Sequence, residues 1–215
     1  MEQSINVLLV DDHAVVREGY RRLLEWSSGI SVIGEAANGA DAVRLNQQLK
    51  PDVIVMDMAM PGVSGLDAMR RILAHSPSSR VLIFSMHEEA IFAQRALDGG
   101  AYGYVTKSSA GEVLVEAVRA VARGEQFVRY PSMLPATPEQ QLALEQLSAR
   151  ELEVLQLLAQ GYALEQIGER LGLTAKTVAN YQSLIRQKLK AENALQVVQA
   201  ARRLGIVFGV TTQTA

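Results

Sequence analysis

The sequence predicts an open, doubly wound α/β domain followed by a small all-helical one, and three observations carry that expectation. Five short apolar runs recur through the first 125 residues with helix-length stretches between them. No such run follows Leu147. The charge divides where the pattern does. Residues 1–146 hold 13 Lys/Arg against 18 Asp/Glu, net −5, and residues 147–215 hold 8 against 5, net +3. The formal charge of −2 over 215 residues therefore hides an acidic module joined to a mildly basic one.

The runs are Ile5–Val10, Ile30–Ile33, Val53–Met56, Arg80–Phe84 and Tyr102–Val105. Most are too continuously apolar for a strand with one wet face, so they read as parallel strands covered on both sides. Between them apolar residues fall at helical spacing: Val16, Tyr20 and Leu23, then Leu66, Met69 and Leu73, then Leu114, Ala117, Val118 and Val121. Alternation of this kind specifies a five-stranded parallel sheet in residues 1–125. Residues 126–146 carry Pro131, Pro135 and Pro138 and read as a linker, with a short helix from Glu139 at its end. In 147–209, Ser148-Ala-Arg-Glu151 is a capping box opening a helix that Gly161 ends. A second helix spans Leu164–Leu171 to Gly172, Thr174 caps a third reaching about Lys190, and Asn193 caps a fourth running toward Gly205. The Gly172-Leu173-Thr174 connection suits a helix-turn-helix. The tail from Val210 reads as frayed.

Composition removes whole classes of function. There is no cysteine, which excludes disulfide scaffolds, Cys-ligated zinc fingers, iron–sulfur sites and thiol catalysis. No stretch approaches the roughly 18 consecutive apolar residues of a membrane span, and Met1-Glu2-Gln3-Ser4 has no targeting character. A soluble, cytoplasmic protein without a membrane partner is expected.

In a doubly wound sheet, ligands bind beyond the carboxyl ends of the strands. Asp11 and Asp12 follow the first strand, Asp57 the third, Ser85 ends the fourth and Lys107 lies just past the fifth. Three carboxylates at one spot repel, and a hard divalent cation with oxygen ligands, Mg²⁺ or a similar ion such as Mn²⁺, relieves that cost. A lysine and a hydroxyl opposite suit a phosphoryl group. Carboxylate, cation, lysine and hydroxyl together fit phosphoryl transfer.

Val10-Asp11-Asp12-His13, Met56-Asp57-Met58-Ala59-Met60-Pro61-Gly62, Ser85 and Val105-Thr106-Lys107 resemble the motif set of a two-component response regulator receiver domain, a flavodoxin-like fold, over residues 5–124. The resemblance implies phosphorylation of Asp57 by a sensor histidine kinase. It also implies Mg²⁺ on Asp12, Asp57 and the Ala59 carbonyl with Asp11 assisting, phosphoryl contacts from Ser85 and Lys107, and an inward-turning Tyr104. His13 belongs to the motif as a packing residue, and neither it nor His75 or His87 has metal-ligand spacing. Ala59 cannot orient an attacking water, and bulky Met86 stands where a small residue is common, so slow self-dephosphorylation is expected, which His87 could offset.

Leu147–Asn193 resembles the LuxR/NarL-type helix-turn-helix, through Leu147-Ser148-Ala149-Arg150-Glu151-Leu152, Gly161, Ile167, Leu171-Gly172-Leu173, Lys176-Thr177-Val178, Tyr181, Ile185 and Lys188-Leu189. Burying Val178, Ile185 and Leu189 turns Lys176, Ala179, Asn180, Ser183 and Gln187 outward. Asn180 suits adenine, Ala179 a thymine methyl and Ser183 either base type. Lys176, Thr177, Tyr181, Arg186 and Lys188 suit phosphates. With a net charge of only +3, a single domain should bind weakly, which favours a homodimer on two half-sites of double-stranded promoter DNA, with RNA polymerase a further partner. Leu195, Val198 and Ala201 either form the dimer seam that the resemblance implies or close the helical core.

These readings combine into a non-enzymatic transcriptional regulator switched at Asp57. One alternative is a phosphorylation-independent DNA binder with a vestigial receiver. Another is a haloacid-dehalogenase-type phosphatase, which needs an aspartate where Ala59 stands.

Overall fold

The computed structural model describes residues 4–130, 142, 146–204 and 206. They fall into two compact units. Most of the expected linker, the expected helix from Glu139 and the tail from Val210 lie outside the described residues.

The first unit runs β1 (Ile5–Val10), α1 (Ala14–Trp26), β2 (Ile30–Ala36), α2 (Gly39–Leu49), β3 (Val53–Met56), α3 (Gly65–His75), β4 (Val81–Ser85), α4 (Ala90–Asp98), β5 (Gly103–Thr106), α5 (Gly111–Ala122) and β6 (Phe127–Arg129). All strands are parallel, in the order β2-β1-β3-β4-β5-β6. The chain winds outward in one direction from β1 to β2 and in the other from β3, so the switch in strand order lies between β1 and β3.

The apolar runs explain the layering. Val7 and Leu9, Val53 and Val55, Leu82 and Phe84 project to one face, where Leu24 of α1 and Leu114, Ala117, Val118 and Val121 of α5 pack on them. The alternate residues Leu8, Ile54 and Ile83 are equally buried outside that cluster, so their face is covered too. Right-handed crossovers give it α2, α3 and α4. A side chain buried this fully is worth about 1.5–3 kcal/mol.

The sixth strand was not anticipated. Phe127–Arg129 pairs with β5 from Gly103↔Phe127 to Val105↔Arg129, placing a sheet edge where the sequence suggested the linker had begun. It is three residues long and only half-buried, which leaves almost no periodic signal.

Among the described residues the second unit carries the helices α6 (Ala149–Ala159), α7 (Leu164–Leu171), α8 (Ala175–Lys188) and α9 (Ala194–Arg203). Its caps are those the sequence names. Ser148 and Glu151 form a reciprocal capping box, Thr174 Oγ1 accepts from Thr177 N, and Asn193 Oδ1 accepts from Gln196 N. Gly172 takes φ 63° at the end of α7, a left-handed turn that aims α8 across it. Leu147, Leu152, Leu155, Ile167, Leu171, Val178, Ile185, Val197, Ala200, Ala201 and Leu204 form the buried core, and Leu189 is half-buried.

Candidate functional site: an acidic rim and an exposed recognition helix

Backbone pairing carries the acidic residues to one rim. Asp57 N donates to Val10 O at 2.8 Å and Asp11 N to Ala36 O at 3.1 Å, so the segments leaving β1 and β3 lie side by side at the switch point. Lys107 arrives from β5, its backbone N–H bonded to Ser85 O at 2.7 Å. Its Nζ reaches Asp11 Oδ2 at 2.6 Å and Asp57 Oδ2 at 2.8 Å, with all three side chains almost wholly buried. Residues distant in sequence thus meet around one ammonium.

One ammonium cannot neutralise two buried carboxylates. Burial first, and the Asp11 charge second, push the Asp57 carboxyl above its ordinary range against the opposing pull of Lys107. For Lys107 the burial penalty is outweighed by the two carboxylates, which hold its pKa up. Asp12 adds further negative charge, and its buried Oδ1 makes no hydrogen bond even though His13 Nδ1 lies 3.1 Å away. One donor atom from each of Asp11, Asp12, His13 and Asp57 falls within 4.8 Å of the others. A buried, unsatisfied carboxylate oxygen among like charges is costly, and a divalent cation is the group that relieves it. The residues present fit such an ion.

Ser85 is fully buried, its Oγ accepting from His87 N at 3.2 Å. Tyr104 is already inside, fully buried, its hydroxyl donating to His87 O at 2.8 Å. The His87 ring stacks on Phe92 at 4.2 Å. Met86 is exposed. Ala59 N approaches Asp57 Oδ1 at 3.4 Å.

Three supports were invisible to motif reading. Arg17 donates from Nη1 to Asp11 O at 2.6 Å and from Nε to Glu35 Oε2 at 2.9 Å, propping the turn after β1. Gly65 lies so close beneath Asp57 that a Cβ there would stand 2.0 Å from Asp57 O. Tyr20 packs edge-on against Phe84 at 4.7 Å, within electrostatic reach of Lys107, Asp11 and Asp57. A glycine just after a helix N-cap was the one available signal for Gly65. His13 is corrected: its side chain is 66% exposed, so it is not a packing residue.

In the helical unit, α8 buries Val178 and Ile185 and presents Lys176, Asn180, Ser183, Arg186 and Gln187 to solvent. Thr177, Ala179 and Tyr181 are half-buried beside them. An open depression of about 400 Å³ lies among Ser183, Arg186, Gln187, Lys190, Ala191 and Glu192. Lys188, expected at a phosphate, is instead engaged within the unit, its Nζ 2.7 Å from Glu151 Oε2. On α9, Ala201 is fully buried and belongs to the core, whereas Leu195 is exposed and Val198 half-buried.

Residues 7–119 match the model of the response regulator receiver domain, and residues 145–201 that of the bacterial regulatory proteins of the luxR family. The chain belongs to the LuxR-type response regulators. It is 36% identical to the response regulator UvrY of Escherichia coli over 94% of this chain and 95% of that one. A LuxR-family two-component response regulator from Aurantimonas is 44% identical with a TM-score of 0.58, covering 60% of this chain and 91% of that one. RcsB of Salmonella enterica, solved on the rprA promoter with phosphomimetic BeF3−, is 26% identical with a TM-score of 0.61, covering 95% and 100%.

This is accordingly a two-component transcriptional response regulator, in a family of regulators rather than enzymes. Its receiver implies a kinase and its LuxR-type domain implies DNA. No helix among the described residues is long and apolar enough to cross a membrane.

Proposed function

We propose that Asp57 is the phosphoacceptor and that its phosphorylation by a sensor histidine kinase controls binding of promoter DNA through α8, in the cytoplasm. The observation that carries this reading is Lys107 Nζ at 2.8 Å from Asp57 Oδ2 inside a rim with surplus negative charge. In the transfer step an Asp57 oxygen attacks phosphorus, an O–P bond forms, and the P–N bond to the kinase imidazole breaks. Asp11, Asp12, Asp57 and the Ala59 carbonyl would hold Mg²⁺ or Mn²⁺, which supplies charge neutralisation for the incoming phosphoryl oxygens. Lys107 passes from the Asp57 oxygen to a phosphoryl oxygen, and Ser85 Oγ donates to another. Tyr104 holds the backbone beyond Ser85 through His87 O. Ala59 offers no group to orient water, and the His87 ring is engaged with Phe92, so the acyl phosphate decays slowly, over minutes or longer.

On DNA, Ala179, Asn180 and Ser183 read bases, while Lys176, Thr177, Tyr181 and Arg186 meet phosphates. Lys188 acts through Glu151 rather than on DNA. The module works as a homodimer on paired half-sites and recruits RNA polymerase, with Leu195 and Val198 at the seam. The reading divides the chain into a receiver over 1–125, a linker over 126–146 and a DNA-binding domain over 147–209, with β6 an added edge strand at the start of the linker.

The test combines phosphodonor labelling with DNA affinity. Wild-type chain should take up one phosphoryl group and bind its operator more tightly when labelled, and Asp57→Asn should do neither. Unchanged affinity and dimerisation in Asp57→Asn, with or without phosphodonor, would instead support the vestigial receiver.

A further inference from the structure

We propose that Arg17 is a positioning residue for phosphoryl uptake at Asp57, acting through the Asp11 carbonyl to hold the Asp11 carboxylate in the direction that the cation requires. That role rests on the reading of Asp57 as phosphoacceptor beside a cation held by the rim aspartates, and adds to it a residue of α1.

Asp11 is anchored through each of its polar groups. Its N–H donates to Ala36 O at 3.1 Å. Its Oδ1 accepts from His13 N at 2.8 Å and its Oδ2 from Lys107 Nζ at 2.6 Å. Its carbonyl accepts from Arg17 Nη1 at 2.6 Å. The peptide that follows Asp11 is therefore held by one side chain.

Local structure explains why an arginine does this. Arg17 stands in the first turn of α1, its N–H bonded to His13 O at 2.9 Å. Helical side chains lean toward the N-terminus, so it reaches back over the turn that leaves β1. Parallel pairing of Leu9 with Glu35 and Val10 with Ala36 brings Glu35 level with the end of β1. The guanidinium spans the two acceptors, Nε donating to Glu35 Oε2 at 2.9 Å while Nη1 holds Asp11 O. Arg21, one turn on, takes Glu35 Oε1 at 2.9 Å, so the carboxylate that aims Arg17 is itself fixed from both sides.

A planar fork serves two acceptors at once, whereas a lysine ammonium carries the same charge as a point on a flexible stem. Arg17 and Glu35 are 17% and 28% exposed, so the ion pair by itself adds little to stability. What it fixes is direction. Carbonyl and carboxylate belong to one residue, and slack in the Asp11 peptide passes to the side chain. Groups behind a ligating carboxylate orient it in this way, and their loss weakens the site without removing a ligand.

Labelling of the full chain with phosphoramidate across a Mg²⁺ titration tests this, alongside urea unfolding of the metal-free chain. Arg17→Lys keeps a charge for Glu35 and loses the fork. It should raise the Mg²⁺ concentration for half-maximal labelling rate by about tenfold, with the maximal rate within about twofold of wild type. The urea midpoint should stay near that of wild type. In the metal-free chain the His13 amide, which reports the Asp11 carboxylate, should exchange with solvent about tenfold faster. The Asp57 amide, bonded to Val10 O, should keep its protection. Arg21→Met is the control, since it removes the other partner of Glu35 and should leave labelling and the His13 amide unchanged. Half-saturation as in wild type, an equal shift in Arg21→Met, or a fall in maximal rate alone overturns the role of Arg17. So does a urea midpoint that falls in step with labelling, which marks a residue of the scaffold only. If wild-type chain takes up no phosphoryl group, or Asp57→Asn labels as wild type does, the acceptor reading fails instead.

Discussion

Two lysines set the halves of this molecule against each other. Lys107 and Lys188 each reach a buried carboxylate at under 3 Å, and each ties one element to another. Lys107 serves two aspartates with a third beside them, and the balance stays negative. Lys188 serves one glutamate, whose Oε2 also accepts from Ser148 N at 2.6 Å to complete a helix cap. The receiver site is thus left wanting positive charge, which suits a place where a cation and a phosphoryl group arrive. In the output domain the Lys188–Glu151 pair sets one charge against one, and polar side chains such as Lys176, Asn180 and Ser183 stand exposed along α8. An ion pair signals function when it fails to balance, and architecture when it does.

The sharpest way to break that contrast is to remove the receiver's lysine. Lys107→Ala leaves Asp11 and Asp57 buried and mutually repelling, and should destabilise the receiver by about 3 kcal/mol in urea unfolding. Millimolar Mg²⁺ should recover much of the loss, and an equal loss with and without Mg²⁺ would refute the account. Gly65→Ala should cost about 2 kcal/mol, because a Cβ there meets the Asp57 carbonyl. It should also reduce phosphodonor labelling, since the displaced loop carries the acceptor.

Asp57→Asn should act in the opposite direction and stabilise the metal-free receiver by about 1 kcal/mol at neutral pH. Burial raises the Asp57 pKa above its unfolded value, so the native state binds the extra proton and stability falls as pH rises between the two values. The variant should lack that fall in pH-dependent unfolding. The smallest effect belongs to the output domain. Burial would raise the Glu151 pKa, but Lys188 and Ser148 outweigh it and hold the carboxyl below its ordinary range. Its contribution is therefore complete above the ordinary value of about 4.3 and is lost as pH falls through the depressed one. Lys188 is 37% exposed, so Lys188→Met should cost less than about 1 kcal/mol and be muted by salt. Operator affinity should change far less than in Arg186→Met. A comparable loss of affinity would return Lys188 to the DNA interface.

The sequence made the sheet legible because strands buried on both faces are apolar without interruption, as Val53–Met56 shows. It made the rim legible because Asp11, Asp57 and Lys107 stand directly at strand ends, where topology alone dictates convergence. Contacts that depend on how a loop travels were hidden: the Arg17 brace, the approach of Gly65 to Asp57, and the outward ring of His13. The fourth helix of the output domain exposes another limit. Its apolar residues fall on two adjoining stripes, and periodicity cannot say which stripe the core takes. Val197, Ala200 and Ala201 went inward, leaving Leu195 outside.

The bond from the Tyr104 hydroxyl to His87 O carries a mechanical consequence. It ties the peptide two residues past Ser85 to the middle of β5, so the β4–α4 connection cannot swing without either stretching that tether or dragging a buried aromatic ring with it. On the proposed reading, a phosphorylation event at the acidic rim would leave the sheet as a change in how one phenol is anchored, and the faces of α4 and β5 are where it would first surface.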